Sequence, residues 1–153
     1  MIKKLFLFSS FLFLINCGYE PLFVNKKTPQ IQIGEINIKG DEKINRKILS
    51  LIGVKETKDT ANDYLLLINS KKKKEIVAKN SAGNSTSFKI SIDINISIID
   101  SINNKKVIKS KKFNSSFTYN NTNDKFQLSQ DEKNILNNLI ESASKKIVMY
   151  LSL

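Results

Sequence analysis

Between Thr86 and Ile99 the chain alternates without a slip. Phe88, Ile90, Ile92, Ile94, Ile96 and Ile98 hold one phase, and Lys89, Ser91, Asp93, Asn95 and Ser97 hold the other. Successive side chains of an extended strand point to opposite faces, so this pattern predicts a strand with one buried and one wet face. Val107 to Tyr119 predicts a neighbouring strand. Its apolar side carries Val107, Phe113, Phe117 and Tyr119, its middle carries Lys109, Lys111 and Lys112, and SINNKK makes the turn between the two. Upstream, YLLLINSKKKKEIVA (Tyr64 to Ala78) reads as strand, charge run and strand. IQIGEINI (Ile31 to Ile38) alternates but changes phase at Gly34, which predicts a first strand with a bulge.

Two stretches change to a helical period. After Asp41, a residue suited to capping, Ile44, Ile48, Leu51 and Ile52 recur on one face, and Gly53 suits the stop. Near the C-terminus Leu136, Leu139, Ile140, Ala143, Ile147 and Leu151 do the same. Ser129 with Glu132 reads there as a capping box, and Lys145 and Lys146 lie near the negative end of the helix dipole. The loop YNNTND joins the last strand to this helix. A sheet with one apolar face needs a cover, and two amphipathic helices supply it. The expected domain, residues 31–153, is an α/β two-layer sandwich in the order β-α-β-β-β-α, a four-stranded sheet under two helices.

The N-terminus follows a different logic. Lys3 and Lys4 precede an apolar run, Leu5 to Ile15, broken only by Ser9 and Ser10. That run suits the core of an export signal and is short of the roughly 20 residues a membrane-spanning helix needs. The one cysteine of the chain, Cys17, follows at once in Leu14-Ile15-Asn16-Cys17-Gly18, which resembles a bacterial lipobox. Residues 1–16 are therefore read as a signal peptide and Cys17 as the site of lipidation. The competing reading is an ordinary buried cysteine in a signal anchor. Several acyl chains on one residue hold a protein at a membrane where a single chain binds marginally. Residues 17–30 contain both prolines, Pro21 and Pro29, and are read as an extended tether with Tyr19 and Phe23 as aromatic anchors.

Composition narrows the chemistry. With 41% hydrophobic and 25% charged residues the chain can build a core and is not wholly disordered. It has no histidine and one cysteine, which excludes a histidine-dependent triad and a Cys/His metal site. No phosphate-loop or dinucleotide-binding glycine motif is present, so no cofactor is expected and an enzyme is disfavoured. The net charge is +11, of which Lys3 and Lys4 in the leader supply two, leaving +9 for the rest. That balance favours anionic partners. Nucleic acid is the lesser of these, because there is no aromatic RNA-binding stretch and the leader directs the chain away from RNA. Lys71, Lys72, Lys73 and Lys74, followed by Lys79, are the densest basic feature. They serve either to protect a strand edge from pairing or to bind phosphate.

The opening CGYEPLF, Cys17 to Phe23, resembles the CGF-x-PLY start of the lipopolysaccharide-assembly lipoprotein LptE family, particularly its shorter alphaproteobacterial forms. TSFKISIDINISIID is similar to the alternating third strand of that family, and FTYNNTNDKFQLSQDEKN resembles its turn into the final helix. The resemblance covers nearly all of the chain after the leader. It departs at Asn16, Tyr19 and Phe23. It implies the same sandwich, anchored at the outer membrane, facing the periplasm and the lumen of the LptD β-barrel. There the protein would act as plug and assembly factor in lipopolysaccharide transport, without catalysis. Lipopolysaccharide contacts in the family are basic, which makes Lys71, Lys72, Lys73, Lys74 and Lys79 the candidates. The alternative is a lipid-anchored periplasmic binding or scaffold protein unrelated to lipopolysaccharide.

Overall fold

A computed structural model describes residues 33–57, 64–102 and 106–152. The leader, Cys17 and the whole tether read from the sequence lie outside the described residues. The elements are β1 (Glu35–Gly40), α1 (Glu42–Ile52), β2 (Tyr64–Lys79), β3 (Ser85–Asp100), β4 (Val107–Asn120) and α2 (Lys125–Leu151). They form one four-stranded sheet in the order β1-β2-β3-β4. The fold is the expected two-layer α/β sandwich.

β1 and β2 are parallel because the chain crosses through α1 between them; β2, β3 and β4 are antiparallel and follow one another directly. One face of the sheet meets both helices. Ile90, Ile92, Ile94, Ile96 and Ile98 of β3 lie on that face, none more than 3% exposed, beside Leu66 and Ile68 of β2. α1 contributes Ile44, Ile48 and Ile52, and α2 contributes Leu139, Ile140, Ala143, Ile147 and Leu151. This is the alternation read from the sequence, with the central strand supplying the deepest layer.

The ends of the elements explain where the sheet stops. Asp41 Oδ1 accepts from the Ile44 N–H and caps α1, and Gly53, in the left-handed region, ends it. At Gly40 the chain leaves the sheet with φ at +79°, and a Cβ there would sit 2.0 Å from the Ser70 carbonyl oxygen. The Asp41 N–H donates to that same oxygen at 2.9 Å. β1 is thereby pinned to Ser70 and goes no further along β2.

Several expectations are corrected. The lysine run does not separate two strands: β2 is continuous from Tyr64 to Lys79. Ile33 and Gly34 form a break before the strand, not a bulge within it. Ile33 bridges Glu56, and the Gly34 N–H donates to the Tyr64 carbonyl. Leu51 is 45% exposed; Asn45 takes its place in the buried set and donates to the Lys39 carbonyl at 2.6 Å. α2 begins one turn before Ser129, capped by Asp124, whose Oδ1 accepts from the Gln127 N–H. Val107 lies on the opposite face from Phe113 and Tyr119, because a register shift between Ile98 and Ile99 places one extra residue, Ile108, in β4. Phe117 keeps the predicted phase but is half exposed.

Candidate anion-binding surface

The continuity of β2 decides where the lysines go. Beyond Ser70 the side chains still alternate, so Lys72 and Lys74 share the face of Leu66 and Ile68, and Lys71 and Lys73 share the opposite face with Asn69. Four adjacent cations thus form two pairs on two sides of a sheet, not one patch. All are exposed, as is Lys79 at the end of the strand.

On the helix side, Lys72 and Lys74 border a groove of about 260 Å³ floored by Ile90 and Leu136 and walled by Ser129, Glu132 and Lys133 of α2. Lys74 Nζ donates to Glu132 Oε1 at 2.5 Å and lies 4.4 Å from the centre of the Phe88 ring. The Tyr119 hydroxyl donates to the same Oε1 at 2.7 Å. Burial alone would raise the Glu132 carboxyl, but the hydrogen bonds from Lys74 and Tyr119 and the charges of Lys74 and Lys72 outweigh it and hold the group below its ordinary value. Burial, with the adjacent carboxylate, raises the Tyr119 phenol. Lys74 is therefore largely committed to Glu132, whereas Lys72 makes no hydrogen bond or ion pair with any described residue.

On the open side, Lys73 pairs with Asp93 at 3.4 Å and Asn114 Nδ2 donates to Asp93 Oδ1 at 2.7 Å. The Asn114 hydrogen bond, followed by the Lys73 and Lys71 charges, keeps the Asp93 carboxyl low. A shallow depression of about 490 Å³ lies here between Asn69, Lys71, Asp93, Asn95, Lys112 and Asn114. No described element covers this face. Its polar character continues through Ser97 and Ser110, whose hydroxyls are 2.8 Å apart.

Lys133 and Lys112 join the two pairs, and neither was named as a binding residue from the sequence. Ser129, Glu132, Lys133 and Leu136 are spaced for one helical face, which was visible; that this face looks across at Lys72 and Lys74 was not. Lys109 and Lys111, conspicuous in the fourth strand, lie 5.7 and 5.0 Å from the centre of the Tyr150 ring of α2 and cap the core rather than extend the basic surface. Among the described residues no helix is long and apolar enough to cross a membrane, and no three metal-ligating side chains cluster.

No family model and no curated protein sequence matches the chain. Solved structures do. Lipoprotein B from Nitrosomonas europaea superposes with a TM-score of 0.60 at 13% identity, over 79% of this chain and 86% of that one. A minor lipoprotein from Acinetobacter baumannii gives 0.58 at 13% identity, over 78% and 90%. The rare lipoprotein B from Shewanella oneidensis gives 0.56 at 13% identity, over 77% and 93%. At these identities the likeness is one of fold: the chain carries a sandwich that several bacterial lipoproteins share.

Proposed function

We propose that this chain is a non-catalytic outer-membrane lipoprotein of the LptE type, which acts with the LptD β-barrel as plug and assembly factor in lipopolysaccharide transport. The observation that carries the reading is the coincidence of two independent features. One is the lipobox-like opening Cys17-Gly18-Tyr19 with Pro21, Leu22 and Phe23, placed directly after an export leader. The other is a sandwich domain with the fold of bacterial lipoproteins. Lipid on Cys17 would hold the domain at the bilayer. The sheet face that no described element covers carries Ser, Asn and Lys over most of its length, with Leu65, Leu67 and Ile99 at one end. Its polar part suits the polar interior of an outer-membrane barrel, where hydrogen bonds and water replace an apolar interface.

Lys71, Lys72, Lys73, Lys74 and Lys79 are the candidate contacts for lipid A phosphates. Their arrangement sharpens the expectation. Lys72, uncommitted and facing Lys133 across the groove, contributes more than Lys73 or Lys74, which already face Asp93 and Glu132.

Co-purification of the tagged full chain from outer membranes tests the assembly role. Recovery of a large β-barrel supports it; recovery of the chain alone favours a lipid-anchored scaffold instead. Mass spectrometry of the purified chain must show acylated Cys17 at a new N-terminus, and an unmodified thiol with the leader attached overturns the reading. Replacing Lys71 to Lys74 together by Gln is expected to weaken lipopolysaccharide binding at low ionic strength; unchanged affinity removes the patch from the proposal.

A further inference from the structure

We propose that the free edge of β2, from Lys71 to Val77, is a docking slot where an extended acidic segment of a partner protein adds to the sheet as a strand. The inference concerns the backbone of this edge and does not depend on lipopolysaccharide binding.

The register between β1 and β2 ends at Gly40 and Ser70, so among the described residues β2 is flanked on both sides up to Ser70 and on one side only beyond it. The Tyr64 carbonyl accepts from Gly34 and the Ser70 carbonyl from Asp41, which fixes even-numbered residues as those whose backbone groups face the β1 side. The antiparallel register with β3 is unbroken from Tyr64 to Ile76. By the two-residue period of a strand, the N–H and C=O groups of Lys72, Lys74 and Ile76 point outward from the sheet, with no described strand beside them. Such a row is the template that strand addition uses.

Charge selects the occupant. A second copy pairing on this edge in the antiparallel sense would set lysine opposite lysine, which is unfavourable. The chain's own segment before β1 is a poor match as well. Between Gly18 and Gln32 it carries Lys26 and Lys27 against Glu20, and it contains Pro21 and Pro29. An acidic strand is complementary on both faces. Its side chains on the helix side would meet Lys72, with Lys133 across the groove, and compete with Glu132 for Lys74; those on the open side would meet Lys71 and compete with Asp93 for Lys73. Ile76 and Val77, each 53% exposed, ask for apolar neighbours at the end of the acidic run. The recognised element is thus a run of Asp and Glu flanked by β-branched residues, in extended conformation.

The test uses the full chain in detergent and a blocked fluorescent peptide with an Asp–Glu run flanked on both sides by valines, so that it can bind in either direction. Binding is read by anisotropy at low salt, and backbone amide exchange by NMR. The peptide is expected to bind and to slow exchange at Lys72, Lys74 and Ile76, leaving Lys71, Lys73 and Glu75 unchanged. A peptide with Lys in place of Asp and Glu is expected not to bind. Lys72→Pro and Lys72→Gln lose the same charge, but only proline removes the outward N–H and blocks pairing. Proline is expected to weaken binding about tenfold more than glutamine does, while lipopolysaccharide affinity falls equally in both. Ile76→Pro, which leaves every lysine in place, gives a second reading of the same effect, and circular dichroism verifies that both proline variants fold. Equal binding by the proline and glutamine variants, absence of peptide binding, or amides already protected in the free chain would each overturn the proposal.

Discussion

β2 is two strands in one. From Tyr64 to Ser70 it lies between β1 and β3, and Leu66, Ile68 and Ser70 are at most 1% exposed. From Lys71 to Lys79 it has, among the described residues, a partner on one side only, and every residue is exposed. The backbone does not change at the boundary; the neighbours do. The first half closes the core, while the second projects from it, held by β3 and by tethers such as Lys74 to Glu132. Exposed surface in this molecule is therefore obtained by letting a core strand outrun its neighbour. The exposed half keeps its strand geometry through its continuous pairing with β3.

The comparison breaks most visibly at Ile68, which is fully buried. Ile68→Ala is expected to cost about 2–5 kcal/mol, because it removes transferred surface and leaves a cavity. Lys71→Ala, three residues along the same strand, is expected to stay within about 0.5 kcal/mol. Urea unfolding followed by circular dichroism measures both; equal costs would mean that the exposed half is integral to the core.

Next in size is the residue that makes the boundary. Gly40 has positive φ, and any side chain there meets the Ser70 carbonyl. Gly40→Ala is expected to lose roughly 1–3 kcal/mol through backbone strain and displacement of that contact. It should also loosen the Asp41 to Ser70 hydrogen bond, so that amide exchange accelerates at Asp41 before it does at β3. A neutral substitution would show that β1 ends at Gly40 for some other reason.

The boundary itself was not legible in the sequence. The alternation of β3 was, because Ile in one phase and polar residues in the other leave a single face to bury, and Asp41 and Gly53 marked α1 by residue types with few other uses. A lysine run erases that information: with every position alike, period two leaves no trace, and the strand looks interrupted. Lys72 and Lys133 share a groove only because the register sets β2 beside the part of β3 that α2 covers, a relation between residues distant in the chain. Ile108 hid the phase of Val107, since one inserted residue in a strand reverses every side chain beyond it. The start of α2 was misread for a different reason: the Ser129–Glu132 box reads as the cap, but Asp124 is as good a cap by residue type, and local chemistry leaves an ambiguity between the two.

That ambiguity gives a smaller test. Asp124→Ala is expected to cost about 1 kcal/mol, the usual value for loss of an N-cap, because the Gln127 N–H loses its acceptor. Ser129→Ala lies inside the helix and is expected to be nearly neutral, since alanine is at least as good a helix former. Reversal of that order in thermal unfolding would put the functional start of α2 back at Ser129 and detach its first turn from the sheet.

The smallest effect probes how far the exposed half depends on its tether. Glu132 is held below its ordinary value when folded, so the folded state favours the carboxylate. A depressed carboxyl contributes stability that is fully present above its unfolded value and is lost as pH falls through the folded one. Stability should therefore hold above the ordinary glutamate range and decline as the pH is lowered through and below it. Asp93 acts in the same direction, but more weakly, because its contacts with Asn114 and Lys73 are solvent-screened. Glu132→Gln, which keeps the shape but not the charge, should lower stability at neutral pH and flatten the acid decline in melting temperature. It should also speed amide exchange at Lys72 to Glu75 more than at Leu66 to Ile68. An acid decline as steep in the variant as in the parent would assign it to other carboxylates, and the two halves of β2 would then be coupled through the backbone alone.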